Sequence, residues 1–401
     1  MNGDGSNFDF DEVIDRRGMG SLKYDFIEKH TACEDADDVV SMWIADMDFC
    51  VPQPVIDALV RRAKHGIFGY TSFKDSYYKS IISWYKRRHG WDLKSRWFTY
   101  TPGIIPALNL IIQEFSKPGD KVIVQNPVYY PFFHAIRNNG RIVYQNPLKL
   151  INYHYQIDFD DLRAKASDDS AKILIFCSPH NPIGRVWTPE EIRQVCEICL
   201  ENDILIVSDE IHCDLIYPAN DHTNLATLSD EIAQHSITCT SASKTFNLAG
   251  LQVSNIIIQN ENIRDRFRNA VKSVGIEGPN SFAPDAVEAA YSECEDWLDN
   301  LMGYTVKNLD FIRDFLAENL PEVKLIEPEG TYLVWLDFRG FGMDKKELES
   351  FMINDARVVL DEGYIFGQGG EGFERFNIAC PRSVVEDAFN RILNAWHSRQ
   401  K

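Results

Sequence analysis

The chain has 401 residues, 44% of them hydrophobic and 25% charged, the proportions of a globular protein long enough for two domains and a deep pocket. Its formal charge, 41 basic against 60 acidic side chains or −19, repels nucleic-acid phosphate and argues against a nucleic-acid partner. No stretch approaches the roughly 18 apolar residues that a membrane span needs.

The N-terminal "MNGDGSNFDFDE" is polar and acidic, with neither a basic n-region nor an apolar h-region, so the expected setting is cytoplasmic. Residues 1–50 do not follow the pattern that comes after them and are expected to pack with a smaller C-terminal domain. From about residue 100, β-rich apolar runs alternate with amphipathic segments. "KVIVQ" (121–125), "KILIFCS" (172–178), "ILIVSDE" (204–210) and "VSNIII" (253–258) read as buried strands. "IIPALNLIIQEF" (104–115) and "TPEEIRQVCEICLEN" (188–202) read as helices, the second opened by Thr188 as N-cap, Pro189 in the first turn and Glu191 three residues after the cap.

Continuous apolar strands alternating with helices predict an α/β fold, a mostly parallel sheet covered by helices on both faces. Its domain is placed at 51–295. Beyond it, 296–401 changes to hairpin-like runs, "GTYLVWLDF" (330–338) and "FERFNIAC" (373–380), closed by a last helix, and reads as a smaller α+β domain. The nine cysteines are scattered and odd in number, which suits small core residues in a reducing compartment. Cys196 and Cys199 share a helix face with Ile192, Val195 and Leu200, so core packing is the better account of that C-x-x-C spacing.

Four features fall at strand ends, where such sheets bind ligands. Asp209 ends "ILIVSD". Asn181 lies in "SPHNPIG" (178–184), after "KILIFC". Gly103, in "TPGIIPA", opens a helix whose free N–H groups and macrodipole favour a phosphate. Lys244, in "SASKTFNLAG", follows a buried strand among hydroxyl side chains, where an ammonium is costly unless it is used. An anion cradle, a carboxylate, an amide and an amine together suit pyridoxal 5'-phosphate. The amine forms a Schiff base with its aldehyde, and the carboxylate keeps its ring nitrogen protonated so that the ring draws electrons from the substrate's Cα.

"SASKTFNLAGL", "SPHNPIG", "SDEIHCDL", "NPVYYPF" and "FERFNIACPR" together resemble the fold-type I pyridoxal-phosphate enzymes of the class I/II aminotransferase family. "MWIADMDF" (42–49), "GIFGYTS" and "SASKTFNLAGL" resemble its cystathionine β-lyase branch, the MalY/PatB-type carbon–sulfur lyases. The resemblance implies an aspartate aminotransferase-like fold. It makes Lys244 the Schiff-base lysine and acid–base catalyst, Asp209 the partner of the ring nitrogen, Asn181 the ligand of the phenolic oxygen and Tyr129 the aromatic that stacks on the ring. Gly103, Ile104 and Ser241 become phosphate-binding positions, and Tyr70 a phosphate ligand given by the other subunit, which implies a homodimer with shared sites. Arg375, with Ala45 beside it, takes the substrate's α-carboxylate. Two departures from the aspartate aminotransferase pattern are His212, where a tyrosine is expected at the phenolic oxygen, and Gln252, where an arginine is expected at the phosphate.

Other readings are weaker. Ser241-Ala-Ser-Lys244 fits the S-x-x-K acyl-enzyme motif, yet S-D-N and K-T-G are absent. "GQGGEG" (367–372) fits G-x-G-x-x-G, yet a strand rather than a helix follows it, so a flexible hairpin turn is expected. His212, Cys213 and Asp209 lack a second ligand cluster at metal spacing, so no metal is expected. The core motifs serve a β-lyase and a transaminase equally. The branch resemblance favours β-elimination on L-cystathionine or a related cysteine S-conjugate, to a thiol such as homocysteine, pyruvate and ammonia. The alternative is an aminotransferase of an aromatic or neutral amino acid.

Overall fold

The computed structural model describes residues 8–401; residues 1–7, the start of the stretch read for export signals, lie outside it. Seven strands form the main sheet, in the spatial order Phe98–Thr101, Ser254–Ile257, Ser236–Thr240, Leu205–Asp209, Ala171–Cys177, Lys121–Val124 and Ile142–Gln145. All neighbouring pairs are parallel except those made by Ser254–Ile257, which runs antiparallel to both of its neighbours.

The apolar runs are continuous because alternate residues feed two different cores. Val122, Val124, Ile173, Ile175, Val207 and Ile237 pack with the helices Ile104–Phe115, Pro131–Asn138 and Glu261–Ser273. Ile123, Leu174, Phe176 and Ile206 face the other way, against Phe159–Ala166 and Pro189–Glu201. A strand sandwiched between two helical layers has no polar face, which is why it reads as unbroken hydrophobicity.

Pro189–Glu201 starts with the reciprocal cap that its sequence suggests: the Glu191 N–H donates to Thr188 Oγ1 at 3.2 Å, and the Thr188 N–H donates to Glu191 Oε2 at 2.8 Å. Its buried face holds Ile192, Val195, Cys196 and Cys199, with Ile198 buried and Leu200 only half-buried. The helix is covered on a wider arc than a single stripe, and its two cysteines are core side chains. All nine cysteines are free, eight of them buried.

The second sheet is antiparallel throughout, in the order Lys324–Ile326, Leu333–Asp337, Phe373–Asn377 and Asp361–Glu362. The two hairpin-like runs of the sequence are neighbours here, although far apart in the chain. The "GQGGEG" stretch joins the antiparallel partners Asp361–Glu362 and Phe373–Asn377. No helix among the described residues is long and apolar enough to cross a membrane.

The segment 40–49 ties the two sheets together. Val40 and Ser41 pair in parallel with Val358 and Val359, and Asn377 Nδ2 donates to the carbonyls of Ile44 (2.6 Å) and Asp46 (2.7 Å). On the other side, Asn247 Nδ2 donates to the carbonyls of Met47 (3.0 Å) and Phe49 (3.2 Å). A buried ionic cluster anchors it from the N-terminal side. Asp48 accepts from Lys23 Nζ and from Arg16 Nη1, both at 2.6 Å, and the Lys23 and Asp48 side chains are 0% and 6% exposed.

Candidate active site

A cavity of about 210 Å³ opens at the strand ends, between the main sheet and the segment 40–49. Lys244 reaches it from the one-turn helix Ala242–Thr245, which follows the strand Ser236–Thr240 directly. Its Nζ donates to the Ala45 carbonyl at 2.6 Å, and Tyr332 Oη donates to the same oxygen at 2.9 Å. Burial, then the positive charge of Arg375, pulls the Lys244 ammonium down to about 8. An amine lowered to about 8 gives up its proton far more readily near neutral pH than an ordinary lysine, which a nucleophile or base requires.

Asp209 ends its strand inside the cavity. The carboxylate is buried and accepts one long hydrogen bond, from the Ile211 N–H at 3.3 Å. Burial pushes its pKa up to about 7, and Lys244 partly opposes that rise. A carboxylate so poorly solvated is a strong partner for a cation brought to it.

Asn181 and Tyr129 also line the cavity, and the Tyr129 N–H donates to the Asn181 carbonyl at 3.1 Å. Burial raises the Tyr129 phenol above its ordinary value. Gly103 and Ile104 form the opposite wall, where the helix Ile104–Phe115 begins without a side-chain cap. Gly103 has φ +124°, a conformation closed to other residues, and so the chain can turn there with its helical N–H groups toward the cavity. His212 is buried, and its Nδ1 has no partner. Burial first, then the charges of Lys244 and Arg375, hold its imidazole neutral.

Not every expected residue lines this space. Ser241 is buried with its hydroxyl donating to the Val253 carbonyl at 2.7 Å and capping the Lys244 helix through the Ser243 N–H at 3.1 Å; the serines that line the cavity are Ser243 and Ser254. Arg375 lies behind the wall, its Nη1 donating to Asn181 Oδ1 at 3.0 Å. Tyr70 is fully exposed, on the connection between the helices Gln53–His65 and Asp75–His89, and away from the cavity of its own chain. Cys213 turns away from Asp209 and His212 and groups with His89 and Asp214. There Asp214 is already satisfied by Trp84 Nε1, His89 Nε2 and Thr245 Oγ1, each at 2.8 Å, which makes the group a hydrogen-bonded core.

Cavity-wall residues to which sequence reasoning gave no role include Cys177, Ile211, Ala249 and Ser254, together with Tyr332 and Asp361 just outside them, while Ser243 was read only as one of the hydroxyls beside Lys244. Cys177 ends the apolar run "KILIFC", and strand register, which the structure supplies, sets it opposite Asp209. The other side chains carry no signal apart from the fold.

The donor set fits pyridoxal phosphate. A weakly hydrogen-bonded buried carboxylate, an amine whose pKa burial lowers, an imidazole nitrogen without a partner among the described residues and an uncapped helix N-terminus converge on one cavity. Sheet, cavity and donor set define a pyridoxal-phosphate enzyme with the aspartate aminotransferase-like architecture. The pattern of the family Aminotransferase class I and II matches residues 37–392, and the chain belongs to that family.

Among its relatives, Cystathionine beta-lyase PatB of Bacillus subtilis is 43% identical over 386 residues, covering 96% of this chain and 99% of that one. Protein MalY of Escherichia coli is 33% identical, covering 97% and 98%. The crystal structure of cystalysin from Treponema denticola, which contains a pyridoxal 5'-phosphate cofactor, superposes with a TM-score of 0.95 at 42% identity over 98% of this chain and 100% of that one. A pyridoxal-phosphate-bound C-S lyase from Staphylococcus hominis, in complex with L-cycloserine, gives a TM-score of 0.92 at 34% identity, covering 98% and 99%.

Proposed function

We propose that the protein is a pyridoxal-phosphate-dependent carbon–sulfur β-lyase that cleaves L-cystathionine or a related cysteine S-conjugate to a thiol, pyruvate and ammonia. The observation that carries this reading is the pairing, across one cavity, of a Lys244 whose pKa burial lowers and a buried Asp209 in a chain 43% identical over nearly its whole length to a protein named cystathionine beta-lyase.

When bound, the cofactor supplies an electron sink for the substrate's Cα. Lys244, oriented by the Ala45 carbonyl, takes the Cα proton. The Cβ–S bond then breaks with its electron pair leaving on sulfur, and the thiolate takes up a proton. Asp209 holds positive charge on the ring nitrogen, Tyr129 offers a flat face, and the N–H groups after Gly103 hold the phosphate. Ser243, Ser254 and Gln252 are neutral side chains of the cavity wall, and among the described residues no arginine lines it. Arg375 receives the substrate's α-carboxylate, a task suited to its planar fork.

The working unit in this reading is a homodimer. Ile67, Phe68 and Tyr70 are 68%, 55% and 109% exposed on one connection, an apolar tip suited to insertion into a second subunit. The free cysteines are in keeping with a reducing, cytoplasmic setting, and homocysteine as a product is in keeping with a place in methionine biosynthesis.

The deciding experiment is pyruvate release from L-cystathionine by the cofactor-loaded protein without added keto acid, beside a parallel reaction containing 2-oxoglutarate. Pyruvate and free thiol without the acceptor are expected. Glutamate formed from aromatic or neutral amino acids, with no pyruvate, would replace the lyase by an aminotransferase.

A further inference from the structure

Arg375 stands in the strand Phe373–Asn377 directly opposite Asp361 in the antiparallel register. Its guanidinium is committed within the chain. Nη1 donates to Asn181 Oδ1 at 3.0 Å; Nη2 donates to the Trp43 carbonyl at 2.9 Å and to the Asp361 carboxylate; Nε has no partner. The two side chains of the ion pair are 3% and 6% exposed.

A carboxylate grips arginine through two adjacent N–H groups, and both edges that present such a pair include Nη2. Both Nη2 hydrogens are already used, one by a main-chain carbonyl fixed in the segment 40–49 and one by a side chain. An incoming carboxylate therefore gains a bidentate hold by displacing Asp361, the partner that carries the same charge as the ligand and that holds on through a side chain rather than the main chain. A buried arginine without a counter-ion would also be costly, so Asp361 keeps Arg375 compensated between ligands.

We propose that Asp361 is a specificity-determining residue, a carboxylate built into the chain that occupies Arg375 and yields it only to a ligand whose other contacts favour the exchange. This rests on the reading of Arg375 as the substrate-carboxylate ligand. Simple acids, which offer a carboxylate and little else, are held off by the internal competitor, whereas an amino acid anchored also at its amine displaces it.

The test is calorimetric titration of the holoenzyme with 3-(methylthio)propionate, a thioether acid without an amine, and with its carboxamide. D361N and a second neutral variant, D361S, are expected to bind the acid about tenfold more tightly than the wild type and the carboxamide unchanged, and D361E to return to wild-type affinity. Neutral variants that bind the acid no more tightly, or that tighten acid and carboxamide alike, would overturn the proposal. The titration involves no turnover, so its failure leaves the lyase reading standing, and a protein that released no pyruvate could still show the exchange at Arg375.

Discussion

Lys244 and Tyr332 donate to one oxygen, the Ala45 carbonyl, at 2.6 Å and 2.9 Å. The lysine belongs to the main sheet's strand ends and the tyrosine directly precedes the strand Leu333–Asp337 of the second sheet. The two halves of the molecule are therefore registered on each other at the reactive amine.

Lys244→Ala removes the only amine that lines the cavity among the described residues. The variant is expected to lose the visible absorbance of covalently held cofactor and to lose turnover by at least about 10³-fold. Absorption spectra of the reconstituted variant check this, and an unchanged spectrum with retained turnover would refute the assignment.

Asp209 sets a pH dependence of stability in the cofactor-free protein. Its pKa is raised from 3.8 to about 7 by burial, so the folded chain holds this proton more tightly than the unfolded chain. The sign follows: stability falls as pH rises from about 4 to about 7, by at most about 4 kcal/mol from this group. Urea melts of the apo-protein against Asp209→Asn across that range check it, the variant giving the flatter profile. Positive charge on a bound ring nitrogen would flatten the wild-type profile as well.

Lys23→Met breaks the buried pair with Asp48 while Arg16 remains on the other carboxylate oxygen. A loss of about 3 kcal/mol is expected, with the activity of the folded fraction largely kept. Denaturant unfolding followed by fluorescence measures the first, and activity per folded molecule the second.

Gly184 holds the Asn181 loop against the second half of the molecule. Its carbonyl accepts the N–H groups of Glu329 (2.8 Å) and Gly330 (3.0 Å), its φ is +70°, and a Cβ there would stand 2.6 Å from Pro328 Cβ. Gly184→Ala should cost at least about 2 kcal/mol and weaken cofactor retention, since Asn181 moves with the loop. Thermal melts with and without cofactor separate the two effects.

The fold was legible where hydrophobicity was continuous. Val122 to Val124 and Ile173 to Cys177 serve two cores at once, and a run without polar residues announces that. The antiparallel course of Ser254–Ile257 was not legible, because direction depends on the return path after Lys244 rather than on the apolar pattern of the strand. At the site, Lys244, Asp209, Asn181 and Gly103 stood out as reactive or permissive residues at strand ends, and all four line the cavity. Ser241 and Ser243 are two residues apart with the same hydroxyl, and only the cap geometry shows which is committed to the backbone. Asp361 could not be found from spacing: its partner lies 14 residues away and meets it only through strand register.

The wall formed by residues 43 to 46 works through its main chain: the Trp43 carbonyl meets Arg375, the Ala45 carbonyl meets Lys244 and Tyr332, and the carbonyls of Ile44 and Asp46 meet Asn377. What this stretch encodes at those contacts is phase rather than side-chain identity. A small side chain in place of Ala45 keeps the carbonyl in the same register, whereas deletion of one residue between Val40 and Phe49 shifts the carbonyls on one side of the deletion by one place and offers Lys244 or Arg375 the wrong partner. Such a segment tolerates drift in spelling but not in length.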